Sequence, residues 1–311
     1  MYKQKKRQSA APFISPCIEQ GGASWWRFAT HPRHQCWLAG ALCLSSLTAM
    51  ASVPETTASG QVAAAAVQGG LAQLSPAVQQ LSITVLAELP HDAQAFTQGL
   101  LLHDGYFYES TGLYGHSSLR KIDASSGELL RQRKLDAGYF GEGLARVGQQ
   151  LIQLTWQAGQ ALVYNLNDFS LQQVFHYQGE GWGLCFDGEQ LWMSDGSSQL
   201  QTRHPQDFSL QGKIPVTLNG EPLAQLNELA CVGEHIYANI WHDHRIVRIN
   251  KSTGQVDAEI DASALIAASG RSPDPEAVLN GITYDEQAQV FYLTGKLWPK
   301  IFKVQWQQSK P

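Results

Sequence analysis

Five short stretches of the chain begin alike and place five different side chains at one repeated position. Those side chains are Gln98, Glu142, Trp182, Asn227 and Asn280. A carboxylate can transfer a proton, and amide side chains beside it can hold a polar group by hydrogen bonds. Polar and charged residues of this kind are rarely packed into an apolar core. We therefore interpret the five positions as the lining of a pocket.

The elements that must position these residues recur at regular intervals. Each stretch opens a short strand, a turn and a second strand rich in aromatic and β-branched residues. We take one equivalent residue in each unit as its reference position: Gly99, Gly143, Gly183, Glu228 and Gly281. Successive reference positions are 44, 40, 45 and 53 residues apart. A repeat of that length, with several strands in each copy, is typical of a β-propeller blade.

The two ends of the repeat region indicate how it closes. Residues 81–89 alternate apolar and polar side chains, which predicts a half-buried strand before the first unit. The fifth unit begins at Leu279 and has room for only about three strands. We therefore predict that residues 80–311 form an all-β, five-bladed β-propeller closed by the N-terminal strand at the outer edge of the last blade. Two stacked sandwiches are the alternative, but they do not explain the repeat. Helical periodicity is confined to residues 261–268.

The first 51 residues differ in composition from the rest. Six basic residues and a single acid, Glu19, lie in this stretch, with an apolar run over residues 36–50 that ends in an Ala-Met-Ala sequence. This pattern predicts a signal peptide over residues 1–51 and export to the periplasm or secretion. The run is short for a membrane span, and a retained membrane anchor is the alternative. Residues 52–79 are rich in Ala, Gly, Gln, Ser and Thr, which predicts a flexible linker.

Signal cleavage changes the charge of the chain. It removes six of the 22 basic and one of the 27 acidic residues, which leaves 16 and 26 and a net charge of −10. Such a surface repels phosphate backbones, so we expect no nucleic-acid partner. We expect a monomer without stable membrane insertion after cleavage.

Only two of the five cysteines, Cys185 and Cys231, lie beyond the predicted cleavage site. They occupy nearly equivalent positions on the first strands of adjacent units. An oxidising compartment would permit a disulfide, but strands of different blades can lie too far apart, and we expect two free thiols. No residues have the spacing of zinc ligands, and we expect no metal and no cofactor. We interpret His242 and His244 as loop histidines; as a metal pair they lack a third ligand.

Longer motifs run in order through the same region. They are His91–Leu100, Tyr108–Gly115, Phe140–Gly143, Gln153–Trp156, Gly179–Leu184, Leu226–Leu229, Ala238–Trp241 and Leu293–Lys296. Together, over about residues 84–304, they resemble the plant-type glutamine cyclotransferases. The resemblance implies a five-bladed propeller that acts on peptides or proteins with an N-terminal glutamine. It implies cyclisation of that glutamine to pyroglutamate with release of ammonia, without a metal ion.

The resemblance also implies roles for individual residues. The acid–base residue falls on Glu142, and Asn227 and Lys296 are expected to assist catalysis as hydrogen-bond donors to an oxyanion. The expected substrate-binding residues are Phe96, Gln98, Phe140, Trp156, Trp182 and Trp241. Asn280 is left out of the predicted site as a turn former. Without the resemblance, Glu142 could equally bond backbone amides of the next blade, and Lys296 could be a solvated residue at a strand end.

A single glutamate is sufficient for the implied reaction. It can take the proton from the attacking α-amine and deliver it to the departing amide nitrogen, so no net proton is consumed. The alternative is a non-catalytic propeller that binds or assembles components of the cell envelope, but such a module has no reason to keep the whole ring. A quinoprotein-like or lactonase-like enzyme would need metal-binding acids or cofactor ligands, and the ring holds one carboxylate.

Overall fold

The computed structural model describes residues 77–308. The predicted signal peptide, most of the predicted linker and the last three residues therefore lie outside the described residues. Within the described range, the chain forms twenty-two strands and one short helix, so the all-β prediction is confirmed. No helix among these residues is long and apolar enough to cross a membrane.

The chain first runs through one long strand and then three antiparallel four-stranded sheets. Strand β1 covers Gln79–Pro90. The first sheet contains β2 (Thr97–His103), β3 (Tyr106–Thr111), β4 (Ser118–Asp123) and β5 (Leu129–Lys134). The second contains β6 (Gly141–Val147), β7 (Gln150–Thr155), β8 (Gln160–Asn165) and β9 (Leu171–His176). The third contains β10 (Leu184–Phe186), β11 (Leu191–Met193), β12 (Gln199–Arg203) and β13 (Leu210–Pro215).

The remaining elements form a small hairpin, a larger sheet and the helix. The hairpin is β14 (Thr217–Leu218) with β15 (Glu221–Pro222). They are followed by β16 (Leu226–Val232), β17 (His235–Ile240), β18 (Arg245–Asn250) and β19 (Val256–Asp261). Helix α1 (Ser263–Ala268) precedes β20 (Leu279–Asp285), β21 (Val290–Gly295) and β22 (Lys300–Gln308). The helix lies within residues 261–268, the stretch of the sequence with helical periodicity.

Strand β1 joins the two ends of the described chain. It pairs antiparallel with β22, with Leu81 opposite Gln308 and Pro90 opposite Lys300. At its start it also pairs in parallel with β19, which makes an eight-stranded sheet in the order β16-β17-β18-β19-β1-β22-β21-β20. The N-terminal strand thus covers the edge of the last repeated unit, as predicted, and the architecture is propeller-like.

Successive sheets pack through buried apolar side chains. Tyr108 and Leu119 of the first sheet belong to one cluster with Leu144, Leu151 and Tyr164 of the second, and further clusters join each later pair. Full burial of a leucine of this kind contributes about 1.5–3 kcal/mol. Trp192 and Trp298 are buried in such clusters and pack between sheets.

The first strands of neighbouring sheets approach one another very closely. The Gly143 amide donates to the Trp182 carbonyl at 2.6 Å, and a Cβ atom at Gly143 would lie 2.6 Å from that same oxygen. A side chain at this position would therefore collide with the backbone of the next sheet. The close approach explains why glycine recurs at the reference position of the repeat.

The same convergence overturns the prediction of two free thiols. Cys185 on β10 and Cys231 on β16 form a disulfide, with their Cα atoms 5.6 Å apart. That distance lies within the usual range for a disulfide. The prediction was wrong because it treated equivalent strands of adjacent units as distant, whereas the first strands lie side by side.

Candidate active site

The predicted site residues meet at one edge of the sheets, which we call the site edge. Gln98, Glu142 and Asn227 each occupy the second residue of a first strand, in β2, β6 and β16. Three more predicted residues directly follow the last residue of a second strand, and these are Trp156, Trp241 and Lys296. The first strand begins where its antiparallel partner ends, so both groups lie at the same edge.

Glu142 is a buried carboxylate in this cluster, with a relative exposure of 4%. Its Oε1 accepts a hydrogen bond from Nε2 of Gln98 at 2.9 Å. Burial raises the pKa of the Glu142 carboxyl well above its ordinary value; Lys296 opposes that rise and Glu180 adds to it. A carboxyl group with a raised pKa is suited to donating a proton as well as accepting one.

Gln98 is itself held in orientation by Asn280. The Asn280 amide nitrogen donates to Oε1 of Gln98 at 3.1 Å and to the Thr97 carbonyl at 2.9 Å. With its oxygen occupied in this way, the Gln98 amide directs its nitrogen to Glu142. Asn280 therefore belongs to this polar cluster, although it was left out of the predicted site. Its place at the repeated position was the signal that could have found it.

The predicted aromatic residues form edge-to-face pairs with one another. The ring centroids of Phe140 lie 6.1 Å from Phe96 and 5.6 Å from Trp156. Trp182 and Trp241 form a second pair at 5.6 Å. Such contacts contribute about 0.5–1.5 kcal/mol each beyond the buried area and hold rings in defined orientations. The five predicted aromatic residues thus form two walls at the site edge.

Tyr114 extends the first of these walls and was not among the predicted site residues. Its ring lies 5.4 Å from that of Phe140, and the residue is half exposed. The sequence signal was its place in the Tyr108–Gly115 motif.

Lys296 is a buried cation at the same edge. Its Nζ lies 4.8 Å from the centroid of the Phe96 ring, which is within the range of a cation–π contact. Burial lowers the pKa of the Lys296 ammonium, and the carboxylates of Glu142 and Glu276 oppose that fall. Among the described residues, no carboxylate oxygen forms an ion pair with it within 4.0 Å. Its ammonium group therefore has no direct ion-pair partner in the part of the chain that the structure describes.

Asn227 brings an unpaired acceptor to the cluster. Its Oδ1 is buried and has no hydrogen-bond partner among residues 77–308. Its backbone is fixed, because the Ser194 hydroxyl donates to the Asn227 carbonyl at 2.7 Å and accepts from the Gly183 amide at 2.7 Å. An unpaired buried acceptor costs about 1–3 kcal/mol, so a ligand N–H that reached it would be favoured.

The chain is similar to known proteins of one family. Residues 53–306 match the family model described as glutamine cyclotransferase. The chain belongs to the glutamine cyclotransferase family. It is 40% identical over 233 residues to the glutaminyl-peptide cyclotransferase of Arabidopsis thaliana, covering 73% of this chain and 72% of that protein. It is also similar to the crystal structure of Myxococcus xanthus glutaminyl cyclase, with a TM-score of 0.71 and 39% identity, over 75% of this chain and all of that one.

In this member of the family, one further carboxylate contacts two of the predicted residues. Oε2 of Glu180 accepts from the indole nitrogen of Trp156 at 2.7 Å and from that of Trp182 at 3.0 Å. Its Oε1 accepts from Gln157 at 3.0 Å. Glu180 was missed because it does not occupy the repeated position, although it lies two residues before Trp182 in a motif that carries the family resemblance.

A second buried carboxylate, Glu228, occupies a reference position that is glycine in the other units. Its Oε1 accepts from the Leu100 amide of β2 at 2.9 Å, while Oε2 has no partner among the described residues. Burial raises the pKa of the Glu228 carboxyl well above its ordinary value. Its hydrogen bond ties β16 to β2, and we assign it a structural role.

The two loop histidines lie beside the site edge. The His242 ring is 4.5 Å from that of Trp241 and its Nε2 is 3.3 Å from Glu276, while His244 is half exposed beside Asp243. Both line a cavity of about 510 Å³ between the loop after β17 and the segment before β20. No group of three or more histidine, cysteine or acidic residues in the described chain could hold a metal ion. Both histidines lie in the exposed turn between β17 and β18, as predicted.

Proposed function

We propose that this protein is a glutaminyl-peptide cyclotransferase, which converts the N-terminal glutamine of peptides or proteins to pyroglutamate and releases ammonia. The observation that carries the proposal is the buried Glu142 carboxylate, hydrogen-bonded to Gln98 at the site edge. Membership of the family supports it, because the Arabidopsis and Myxococcus relatives carry the names of this activity.

The central step is attack of the α-amine on the side-chain amide of the same residue. A bond forms between the α-nitrogen and Cδ, and the bond between Cδ and the amide nitrogen breaks. Glu142 takes the proton from the attacking nitrogen and delivers it to the departing one, which leaves as ammonia. Positioned proton transfer contributes about 10²–10⁴ in rate. Because the pKa of Glu142 is raised, its carboxyl group is suited to protonating the departing nitrogen, the step in which it acts as an acid.

The charge that develops on the amide oxygen needs a donor. Lys296 is a buried cation without a direct ion-pair partner, and a preorganised donor in a site that excludes water is worth more than one in solution. Asn227 contributes in a second way. Its unpaired Oδ1 can accept an N–H of the substrate, and its amide nitrogen can donate.

The aromatic walls serve orientation and the choice of nucleophile. A glutamine side chain is flexible, and folding it back on its own amine is an entropic problem that a close-fitting pocket reduces. Phe140, Trp156, Trp182 and Trp241 can supply such a pocket. They also keep water from the Cδ atom, so that the amine attacks and hydrolysis to glutamate is avoided.

We further infer five blades and an exported protein. Three four-stranded sheets, the group β16–β19 and the group β20–β22 completed by β1 support the count of five blades. The disulfide between Cys185 and Cys231 supports export, because such bonds persist in oxidising compartments. We infer residues 1–51 to be the signal peptide, followed by a flexible linker.

An ammonia-release assay tests the proposal. The purified protein is incubated with a glutaminyl dipeptide, and with its N-acetyl derivative as the matched control. We expect ammonia and a pyroglutamyl product only from the free amine, since acetylation removes the nucleophile. Binding of the dipeptide without ammonia release would favour the non-catalytic module instead.

A further inference from the structure

Glu180 is a carboxylate that contacts both aromatic walls. Its segment runs between β9 and β10 and reaches the site edge beside Trp156, which follows β7. One oxygen accepts both indole N–H groups, at 2.7 Å from Trp156 and 3.0 Å from Trp182. The two indoles belong to different repeated units. A single charged atom therefore links two parts of the pocket that are 26 residues apart in sequence.

Each indole is also constrained from other sides. Trp156 packs against Phe140, and Trp182 packs against Trp241 and over Gly196, where a Cβ atom would lie 2.6 Å from the indole ring. Hydrogen bonds to a charged acceptor are about twice as strong as neutral ones and fix the direction of each N–H.

The charge of Glu180 also reaches the acid–base residue. Five titratable groups interact electrostatically with Glu142. They are Lys296 after β21, Glu180 before β10, Glu228 in β16, Tyr114 after β3 and Tyr177 after β9. Glu180 raises the pKa of the Glu142 carboxyl after the larger effect of burial, and Lys296 lowers it. Glu180 is therefore connected to the proposed chemistry through charge as well as through the indoles.

We propose that Glu180 is a positioning residue, which fixes the indoles of Trp156 and Trp182 through one carboxylate oxygen and sets the electrostatic environment of Glu142. The effect of Glu180 on Glu142 rests on the proposed function, whereas its effect on the orientation of the two indoles does not. The two parts can be separated, because the amide of Gln keeps an oxygen acceptor while it loses the charge.

Two substitutions separate these parts. In Glu180→Gln, the amide oxygen can accept from both indoles while Gln157 turns its own amide to match, so the near-ultraviolet circular dichroism should stay that of wild type. Its kcat–pH profile should move its acid limb to lower pH, because a negative charge that raises the pKa of Glu142 is gone. In Glu180→Ala the indoles also lose their acceptor, so the near-ultraviolet spectrum should change and kcat/KM should fall by about 10–100-fold.

The control is Glu189→Gln, which removes the same charge from an exposed turn between β10 and β11. It should leave both the spectrum and the pH profile unchanged. An acid limb that is the same in wild type and Glu180→Gln would overturn the electrostatic part. A wild-type near-ultraviolet spectrum in Glu180→Ala, with unchanged far-ultraviolet spectrum, would overturn the positioning part. If the wild-type protein cyclises no glutamine, the proposed function fails while the spectra still test the positioning of the indoles.

Discussion

Replacement of Glu142 by glutamine should abolish most of the activity while the fold is retained. The substitution keeps the size of the side chain and an oxygen that can accept the 2.9 Å hydrogen bond from Gln98. It removes the basicity, because an amide does not titrate in the working range. Loss of an acid–base group lowers kcat by a factor of about 10²–10⁴, which corresponds to about 2.7–5.4 kcal/mol of transition-state stabilisation.

The same substitution has a predictable effect on stability. The pKa of Glu142 is raised in the folded state, so its contribution to stability is fully present below the ordinary glutamate pKa and is lost as pH rises through the folded-state value. Burial outweighs the favourable effect of Lys296 in that shift. Above the ordinary glutamate pKa, Glu142→Gln should therefore unfold at the same urea concentration as wild type or at a higher one. Urea unfolding at pH 5 and pH 8 measures this.

Glu228→Gln is the matched control. Glu228 is the other buried carboxylate in a first strand with a raised pKa, and glutamine keeps the acceptor for the Leu100 amide. Its kcat with a glutaminyl dipeptide should fall far less than that of Glu142→Gln, because Glu228 carries no proton in the proposed reaction. If Glu142→Gln retains the wild-type kcat, or if both variants lose activity equally, the assignment of Glu142 as the proton carrier is refuted.

Three further results are expected. Replacing Cys185 and Cys231 by serine should lower the free energy of unfolding in urea by roughly 2–4 kcal/mol, because the disulfide closes a loop with a sequence separation of 46. The kcat should not change, since both cysteines line a cavity to which no predicted site residue contributes. EDTA should leave kcat unchanged, because every step is assigned to side chains. In the buried pair of His91 and Glu109 (2.8 Å), burial disfavours the imidazolium but the carboxylate still raises the pKa of His91. That stability is present below pH 6.5 and is lost as pH rises through the folded-state pKa. Because Glu109 keeps its contacts with Arg120 and Thr97, His91→Asn should destabilise the protein in urea by roughly 1–3 kcal/mol at pH 6 and by less at pH 9.

Most of the site edge could be predicted because it lies in the repeat. Gln98, Glu142 and Asn227 occupy equivalent places in their units, and a repeated strand start must put them at one edge. The pairing of β1 with β22 was predictable for a related reason. The last unit was short of a strand, and residues 81–89 had no partner in the first unit.

The remaining contacts depend on distances that no pattern encodes. The repeat places Asn280 at the same edge as Gln98, but the 3.1 Å contact between their amides, across 182 residues, depends on how the sheets are arranged. Glu180 lies off the repeated position and acts through side chains of two units. The disulfide depends on how closely the first strands of adjacent sheets approach, which the glycine at the reference position permits but does not specify.

The measurement that tests the central claim most directly follows nitrogen atoms. A glutaminyl peptide carrying ¹⁵N only at the side-chain amide is incubated with the protein, and the ammonia and the peptide product are analysed by mass spectrometry. Attack by the α-amine predicts that all released ammonia carries ¹⁵N and that the product is an unlabelled pyroglutamyl peptide. A peptide product that ends in open-chain glutamate would show that water is the nucleophile, and an unchanged peptide would show no cyclotransferase activity. Either result would contradict cyclisation by the α-amine at Glu142.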